Sequence, residues 1–352
     1  MGSGLVISVD GMGGDHAPDA VLDGIEVAAR KNPGARFLVH GPAGRMAPML
    51  EARPAAKAAS EVRNAETFVS MEVKPSQALR QGKGTSMWNA LVSVEEGDAQ
   101  ACVSAGNTGA LMAMAMMRLR KMEGVHRPAL VASWPTATGF AAVLDVGANV
   151  EADASQLVEF AIMGEAFHRA VRGGKRPTVG LLNVGSEDQK GHEQIRAAAK
   201  LIRETGVDLE FHGFVEGDDI SKGTVDVVVT DGFTGNIALK TAEGTARLVA
   251  GFLREALSGG PLARAGALLA MPALRKLKER MDPRTVNGAV FLGLNGIVVK
   301  SHGGTDGPGY AAAIDVAIRM AKSHYRDEVA ANLARLSAPS LLPPQAAAPG
   351  MT

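Results

Sequence analysis

Short apolar runs alternate with longer amphipathic stretches along most of the chain. The runs Leu5–Val9, Arg36–Val39, Ala101–Ser104, Ala141–Leu144, Val179–Val184, Leu209–Phe214, Val225–Thr230 and Gly296–Lys300 predict strands. Helical patterning is predicted over Pro18–Lys31, Thr108–Lys121, Ala152–Arg172, His192–Glu204, Gly235–Leu257 and Tyr310–Leu336. The nearly continuous apolar run Val225-Asp226-Val227-Val228-Val229 suits a strand covered on both faces. Strand–helix alternation implies a mostly parallel sheet with right-handed crossovers and helices on both faces, a three-layer α/β/α sandwich. No linker or fixed-period repeat divides the chain. Residues 5–336 therefore read as a single two-lobed domain. The stretch 337–352, rich in Pro, Ala and Ser, reads as a disordered tail.

Composition narrows the picture. The chain has 352 residues, of which 46% are hydrophobic and 21% charged, an ordinary globular balance. Lys plus Arg and Asp plus Glu are both 37, so the formal net charge is zero. That balance argues against a generic nucleic-acid binder, which needs excess positive charge. Cys102 is the single cysteine, which excludes an intrachain disulfide and paired-cysteine zinc sites. It sits inside an apolar strand and is expected to be a buried, inert thiol. Asp10 interrupts the first apolar run and no basic region precedes it, so the start does not read as a signal peptide. The uncharged stretches Ala99–Met117 and Pro128–Leu144 are broken by polar residues, Gly or Pro and do not read as membrane spans. A soluble cytoplasmic protein is expected.

Ligands of open α/β sheets bind beyond the carboxyl ends of strands. Six predicted strand ends carry Gly beside polar residues: Asp10–Pro18, Ser104–Gly109, Asp145–Asn149, Asn183–His192, Thr230–Asn236 and Lys300–Asp306. Glycine lets backbone N–H groups approach a ligand, and helix N-termini behind such loops favour anions. On an all-parallel sheet these six loops share one end, which points to an anion-binding cleft. Common motifs are absent. Gly82-Lys83-Gly84-Thr85 lacks the first glycine of a phosphate-binding P-loop, since position 77 is Gln. Gly11-Met12-Gly13-Gly14 lacks the third glycine of a dinucleotide fingerprint. Asp10, Asp15 and His16 have no coherent partners elsewhere, so no metal is expected.

Four strings at these loops, Val9–Pro18, Ser104–Ala110, Leu144–Asn149 and Asp231–Asn236, together with Leu294-Asn295-Gly296, resemble the PlsX family of phosphate acyltransferases. The resemblance runs in order from about Val6 to about Met320. The chain departs from the family's usual pattern at His192 and over Gly303–Tyr310. The resemblance implies a dimeric bacterial enzyme with a fold similar to phosphotransacetylases and isocitrate-dehydrogenase-like enzymes. It implies transfer of a fatty acyl group from acyl-[acyl carrier protein] to inorganic phosphate, with no cofactor. The acyl phosphate would feed a downstream membrane acyltransferase of phospholipid synthesis. A short-chain phosphotransacetylase using acyl-coenzyme A and a non-enzymatic, membrane-attached acyl or phosphate sensor are the alternatives.

Such chemistry needs phosphate held in line with the thioester carbonyl, donors for the oxyanion, and a leaving thiolate. Phosphate is a competent nucleophile, so a covalent enzyme intermediate is unnecessary. Asp10, Gly13, Gly14, Ser104, Gly106, Asn107, Thr108, Asn149 and Asp231 are the candidate substrate and phosphate contacts, with the acidic members anchoring loops rather than touching phosphate. Lys190 resembles the lysine of a family Ser-Lys-Gly segment and is assigned to phosphate or oxyanion charge. Asn236 is a candidate donor to the carbonyl oxygen, and His302 a candidate acid for the leaving sulfur.

The segment 262–284 stands apart. Six basic residues (Arg264, Arg275, Lys276, Lys278, Arg280, Arg284) against Glu279 and Asp282 give 6 − 2 = +4 in a neutral chain. Leu274, Leu277 and Met281 share one helical face, and Leu268–Met271 adds an apolar tip. Leu269, Met271, Arg275, Lys276 and Lys278 are candidate contacts to an anionic membrane or to the acidic carrier protein. Packing on a partner subunit is a third reading of the same segment.

Overall fold

The computed structural model describes residues 4–280 and 282–337. In chain order the strands are β1 (Val6–Asp10), β2 (Arg36–Gly41), β3 (Ser60–Asn64), β4 (Ala101–Ser104), β5 (Ala129–Pro135), β6 (Phe140–Leu144), β7 (Thr178–Leu182), β8 (Glu210–Val215), β9 (Val227–Val229), β10 (Ala289–Leu292) and β11 (Ile297–Lys300). They form one sheet in the order β3-β2-β1-β4-β11-β10-β5-β6-β9-β7-β8.

The helices are α1 (Asp19–Lys31), α2 (Ala43–Leu50), α3 (Pro54–Ala59), α4 (Pro75–Gln81), α5 (Ser86–Glu95), α6 (Thr108–Leu119), α7 (Ala154–Arg172), α8 (Glu193–Glu204), α9 (Gly217–Lys222), α10 (Gly232–Ser258), α11 (Pro261–Arg280), α12 (Gly307–Lys322) and α13 (Tyr325–Ser337). One apolar core joins one face of the sheet to α1, α7, α8, α12 and α13. A second joins the other face to α4, α5, α6, α9 and the first turns of α10. This is the α/β/α sandwich that the alternation of strands and helices predicts.

The sheet is mixed at one place, and that place decides where the loops lie. β1, β2, β3, β4 and β11 are parallel. β10 is antiparallel to both β11 and β5, and β5 is antiparallel to β6. β6, β9, β7 and β8 are again parallel to one another. The reversals through β10 and β5 leave the two parallel blocks running in opposite directions. The expectation that all six Gly-rich loops share one end is therefore corrected. The loops after β1, β4 and β11 lie at one edge, and those after β6, β7 and β9 at the other.

Local capping explains several helix boundaries. α10 starts at Gly232 rather than Gly235 because the Asp231 side chain accepts from the Thr234 N–H, a first-turn cap. The predicted Tyr310–Leu336 helix is two helices. Ser323 ends α12, where its hydroxyl donates to Met320 O and accepts the Tyr325 N–H. The far part of α10 and all of α11 project from the sandwich. No described residue of α11 is buried, and Leu268, Leu269 and Leu277 are exposed. Among the described residues, the apolar side chains of α11 join neither core. Met281, the side chain of Lys278 and the predicted tail from Ala338 lie outside the described residues. Among the described residues no helix is long and apolar enough to cross a membrane.

Candidate active site

At the first edge, the ends of β1, β4 and β11 meet around a buried carboxylate. Asp10 accepts from Ser86 Oγ at 2.6 Å, from Ser104 Oγ at 2.7 Å and from the Met12 N–H at 3.3 Å. Burial is the largest influence on its pKa and raises it; the two hydroxyls, the N–H and the charge of Lys300 act the other way. Ser104 Oγ also accepts the Gly106 N–H at 3.0 Å. A Cβ on Gly13 would lie 2.6 Å from Asp10 Oδ2 and 2.7 Å from the Gly106 nitrogen, so only glycine lets these loops close together. Gly14 has a φ of +101° and packs on Gly303 O and Ala105.

Asn107 caps α6 by accepting the Ala110 N–H at 2.9 Å. Its amide donates to Met71 O at 2.7 Å and Val73 O at 3.1 Å. These bonds tie the segment before α4 over the site and commit the Asn107 side chain to structure. Thr108 and Gly109, at the first two positions of α6, have N–H groups with no intrahelical acceptor. The helix dipole adds positive potential there.

Lys300 ends β11 and is buried. Its ammonium donates to Ala105 O at 3.3 Å and also to Ser301 O. Burial holds its pKa down to about 8, with Asp15 and Asp10 pulling upward and Lys240 pushing down. His302 is exposed next to it. Its Nδ1 accepts the Gly304 N–H at 3.2 Å, which leaves Nε2 as the ring donor when the imidazole is neutral.

At the second edge Asp145 is fully buried and accepts five bonds: the N–H groups of Leu130, Gly147, Ala148 and Asn149, and the Asn149 amide. The Asn149 amide also donates to Pro128 O at 2.8 Å. Its backbone carbonyl accepts the Gly232 N–H at 2.8 Å. Asn149 is thus a clamp between the β6 loop and α10. Asp231 accepts Thr234 N at 2.7 Å and Thr234 Oγ1 at 3.1 Å, a capping role. Asn236 is exposed one turn further and faces Gly147, whose Cβ would sit 3.6 Å from the Asn236 side chain. Lys190 lies in the loop after β7 and pairs with Glu187 Oε1 at 3.0 Å.

The first turns of α10 link the two edges. Asn236 and Lys240 lie one helical turn apart, on one face. Asn236 meets the β6 loop, while Lys240 is near enough to Lys300 to depress its pKa. The structure therefore brings Asp10, Gly13, Gly14, Ser104, Gly106, Thr108 and His302 into one cluster. Asn149, Asp231 and Asn236 lie in the other. Lys190 is in the loop after β7 at that same end and, among the described residues, is in contact only with its own loop. Reading the sequence misses Ser86 and Lys300. Lys300 carries a signal, because a charged residue closes an otherwise apolar strand. Ser86 carries none, since nothing local marks a serine in the first turn of α5 as a partner for Asp10. Cys102 is buried, and burial raises its thiol pKa well above the usual range.

A buried, hydrogen-bonded carboxylate, Gly-lined loops and a helix N-terminus thus meet at one end of an α/β sandwich. Solved structures share the fold. A phosphotransacetylase from Streptococcus pyogenes aligns with a TM-score of 0.61 at 17% identity, covering 91% of this chain and 95% of that one. The EutD phosphotransacetylase from Staphylococcus aureus aligns at 0.58 with 16% identity, covering 90% and 94%. Residues 5–327 match the family described as "Fatty acid synthesis protein". The chain is 61% identical over 338 residues to the phosphate acyltransferase of Caulobacter vibrioides, covering 96% of this chain and 94% of that one. It is 57% identical over 338 residues to that of Parvibaculum lavamentivorans, with the same coverage. The chain is thus an α/β enzyme of the acyltransferase class. It belongs to the fatty acid synthesis protein family, alongside these phosphate acyltransferases.

Proposed function

We propose that the protein transfers a fatty acyl group from acyl-[acyl carrier protein] to inorganic phosphate, giving an acyl phosphate for membrane phospholipid synthesis. A phosphate oxygen attacks the thioester carbonyl carbon, the C–S bond breaks and its electron pair leaves on the carrier thiolate. The observation that carries this reading is the first turn of α6, whose Thr108 and Gly109 N–H groups lack intrahelical acceptors and directly follow the Ser104–Gly106 loop on which Gly13 packs. Family membership supports phosphate as the anion accepted there.

Direct attack agrees with the burial of the one thiol, Cys102, whose raised pKa leaves it no thiolate to act as nucleophile. Positioning and electrostatics then supply the rate. In this reading Lys190 and Asn236 stabilise the charge that develops on the carbonyl oxygen, and His302 protonates the departing sulfur. Asn149 and Asp231 hold the loop and helix that present Asn236.

The exposed α10–α11 pair has three proposed uses: packing between two copies in a homodimer, contact with the acidic carrier protein, and attachment to an anionic membrane surface. Peripheral attachment would release the acyl phosphate beside the membrane acyltransferase that consumes it. Comparison of acyl-carrier and acyl-coenzyme A thioesters of equal chain length tests the donor. A preference for acyl-carrier of at least tenfold in kcat/KM supports the proposal. Equal or better use of acyl-coenzyme A favours the short-chain phosphotransacetylase reading.

A further inference from the structure

We propose that Lys300 is the cation that receives the phosphate nucleophile. The inference deepens the phosphate acyltransferase reading above and rests on it. An ammonium has three donors. Two of them are taken by Ala105 O and Ser301 O. Among the described residues Lys300 forms no ion pair, although it is buried. A buried cation with no ion pair in contact is costly, and an arriving anion lowers that cost.

The neighbouring acids Asp15 and Asp10 attract the ammonium through their fields, but neither pairs with it in direct contact. Asp10 directs its oxygens to Ser86, Ser104 and the Met12 N–H rather than to the ammonium. Asp15, from the loop after β1, is exposed and acts on Lys300 only through its field. Lys240 faces the ammonium from α10 and repels it. His302 adjoins it on its own loop. Cys102 and Tyr310, in the elements packed behind, have pKa values pushed well up by burial and stay neutral.

The surroundings suit a dianion. The carbonyl that anchors the ammonium belongs to Ala105, three residues before the open N–H of Thr108. Gly13, Gly14 and Gly106 keep side chains out of the space between these loops. Lys190 is a poorer candidate for the same role, because it is half-exposed and already paired with Glu187. During the reaction the Lys300 ammonium gives up no proton. It holds phosphate while the C–O bond forms and the C–S bond breaks.

The test uses purified full-length protein, palmitoyl-carrier thioester and varied inorganic phosphate, with acyl phosphate trapped as a hydroxamate. Lys300→Met should raise the KM for phosphate about 10- to 100-fold, the range for one charge-assisted hydrogen bond. The KM for the carrier thioester should stay within a few-fold, and Lys300→Arg should recover part of the loss. Phosphate should raise the Tm of the wild type and of Lys190→Ala, but not of Lys300→Met. In the wild type the KM for phosphate should climb above about pH 8, as the ammonium loses its proton. In Lys300→Arg that climb should vanish, because the guanidinium stays charged.

A folded Lys300→Met protein with an unchanged phosphate KM and an intact phosphate-dependent Tm shift would overturn the inference. Should that variant not fold, a wild-type phosphate KM flat to about pH 10 overturns it instead. Failure of the wild type to form any acyl phosphate defeats the broader reading, and the Tm comparison then decides Lys300 by itself.

Discussion

Asp145→Asn is the sharpest test of the loop that presents Asn236. The Asp145 Oδ1 accepts the N–H groups of Leu130, Gly147 and Ala148 at 3.0, 3.1 and 2.9 Å. Its Oδ2 accepts the Asn149 N–H and the Asn149 amide at 2.7 and 2.9 Å. An asparagine keeps one oxygen. With that oxygen on the Oδ1 side, its NH2 group faces two donors. Each orphaned buried donor costs about 1–3 kcal/mol. Asn149 can relieve one of them by turning its amide, because its Oδ1 has no partner, but the turn breaks its bond to Pro128 O. The net expectation is a loss of about 3 kcal/mol, a large part of the ~5–15 kcal/mol of a folded domain. Urea unfolding followed by circular dichroism should show the midpoint falling at nearly constant slope. Turnover should fall as well, since the Gly232 N–H to Asn149 O bond couples this loop to α10. A loss below about 1 kcal/mol would refute the view that Asp145 is a saturated structural acceptor.

Other expectations follow from single observations. Lys190→Ala should lower turnover by about 100-fold with the fold intact, as loss of one oxyanion stabiliser does; activity within a few-fold of wild type removes Lys190 from the site. Burial holds the His40 ring down to about 4 from 6.5. The stability carried by its neutral form is therefore complete above about pH 6.5 and is lost as pH falls towards 4, by about 3 kcal/mol. His40→Asn should flatten that stretch of the stability–pH curve, and an unchanged slope would exclude His40 as its source. Changing Arg275, Lys276 and Lys278 to Glu reverses three contributions of about 1 kcal/mol each at an anionic surface and should abolish sedimentation with anionic liposomes. If liposome binding persists while turnover of the carrier substrate drops, the segment is a carrier dock.

The sequence makes the sandwich legible because both covered faces leave continuous apolar runs. β4 is read at its true bounds, Ala101–Ser104, and α7 within two residues of its start. The direction of the second block is not legible. β10 is only four residues, Ala289–Leu292, and β5 lies in an uncharged stretch that shows no single period. Without those two strands every loop falls at one edge. The Gly-rich loops are legible as places where backbone approaches backbone, as Gly13 against Gly106 now shows. The Asp10–Ser86 contact is not, because it joins residues 76 positions apart with no local pattern at Ser86. α11 reads as an amphipathic helix, yet Leu268, Leu269 and Leu277 are exposed, which its own pattern does not announce.

The central claim is acyl transfer to free phosphate by direct attack. Purified protein should be mixed with palmitoyl-carrier thioester and isotopically labelled phosphate, with hydroxylamine trapping applied to one half of the reaction. The account predicts label in a palmitoyl phosphate product, one carrier thiol released per acyl phosphate formed, and no palmitoyl–enzyme adduct by mass spectrometry. A stable acyl–enzyme formed without phosphate, or thiol release with no labelled product, would contradict it.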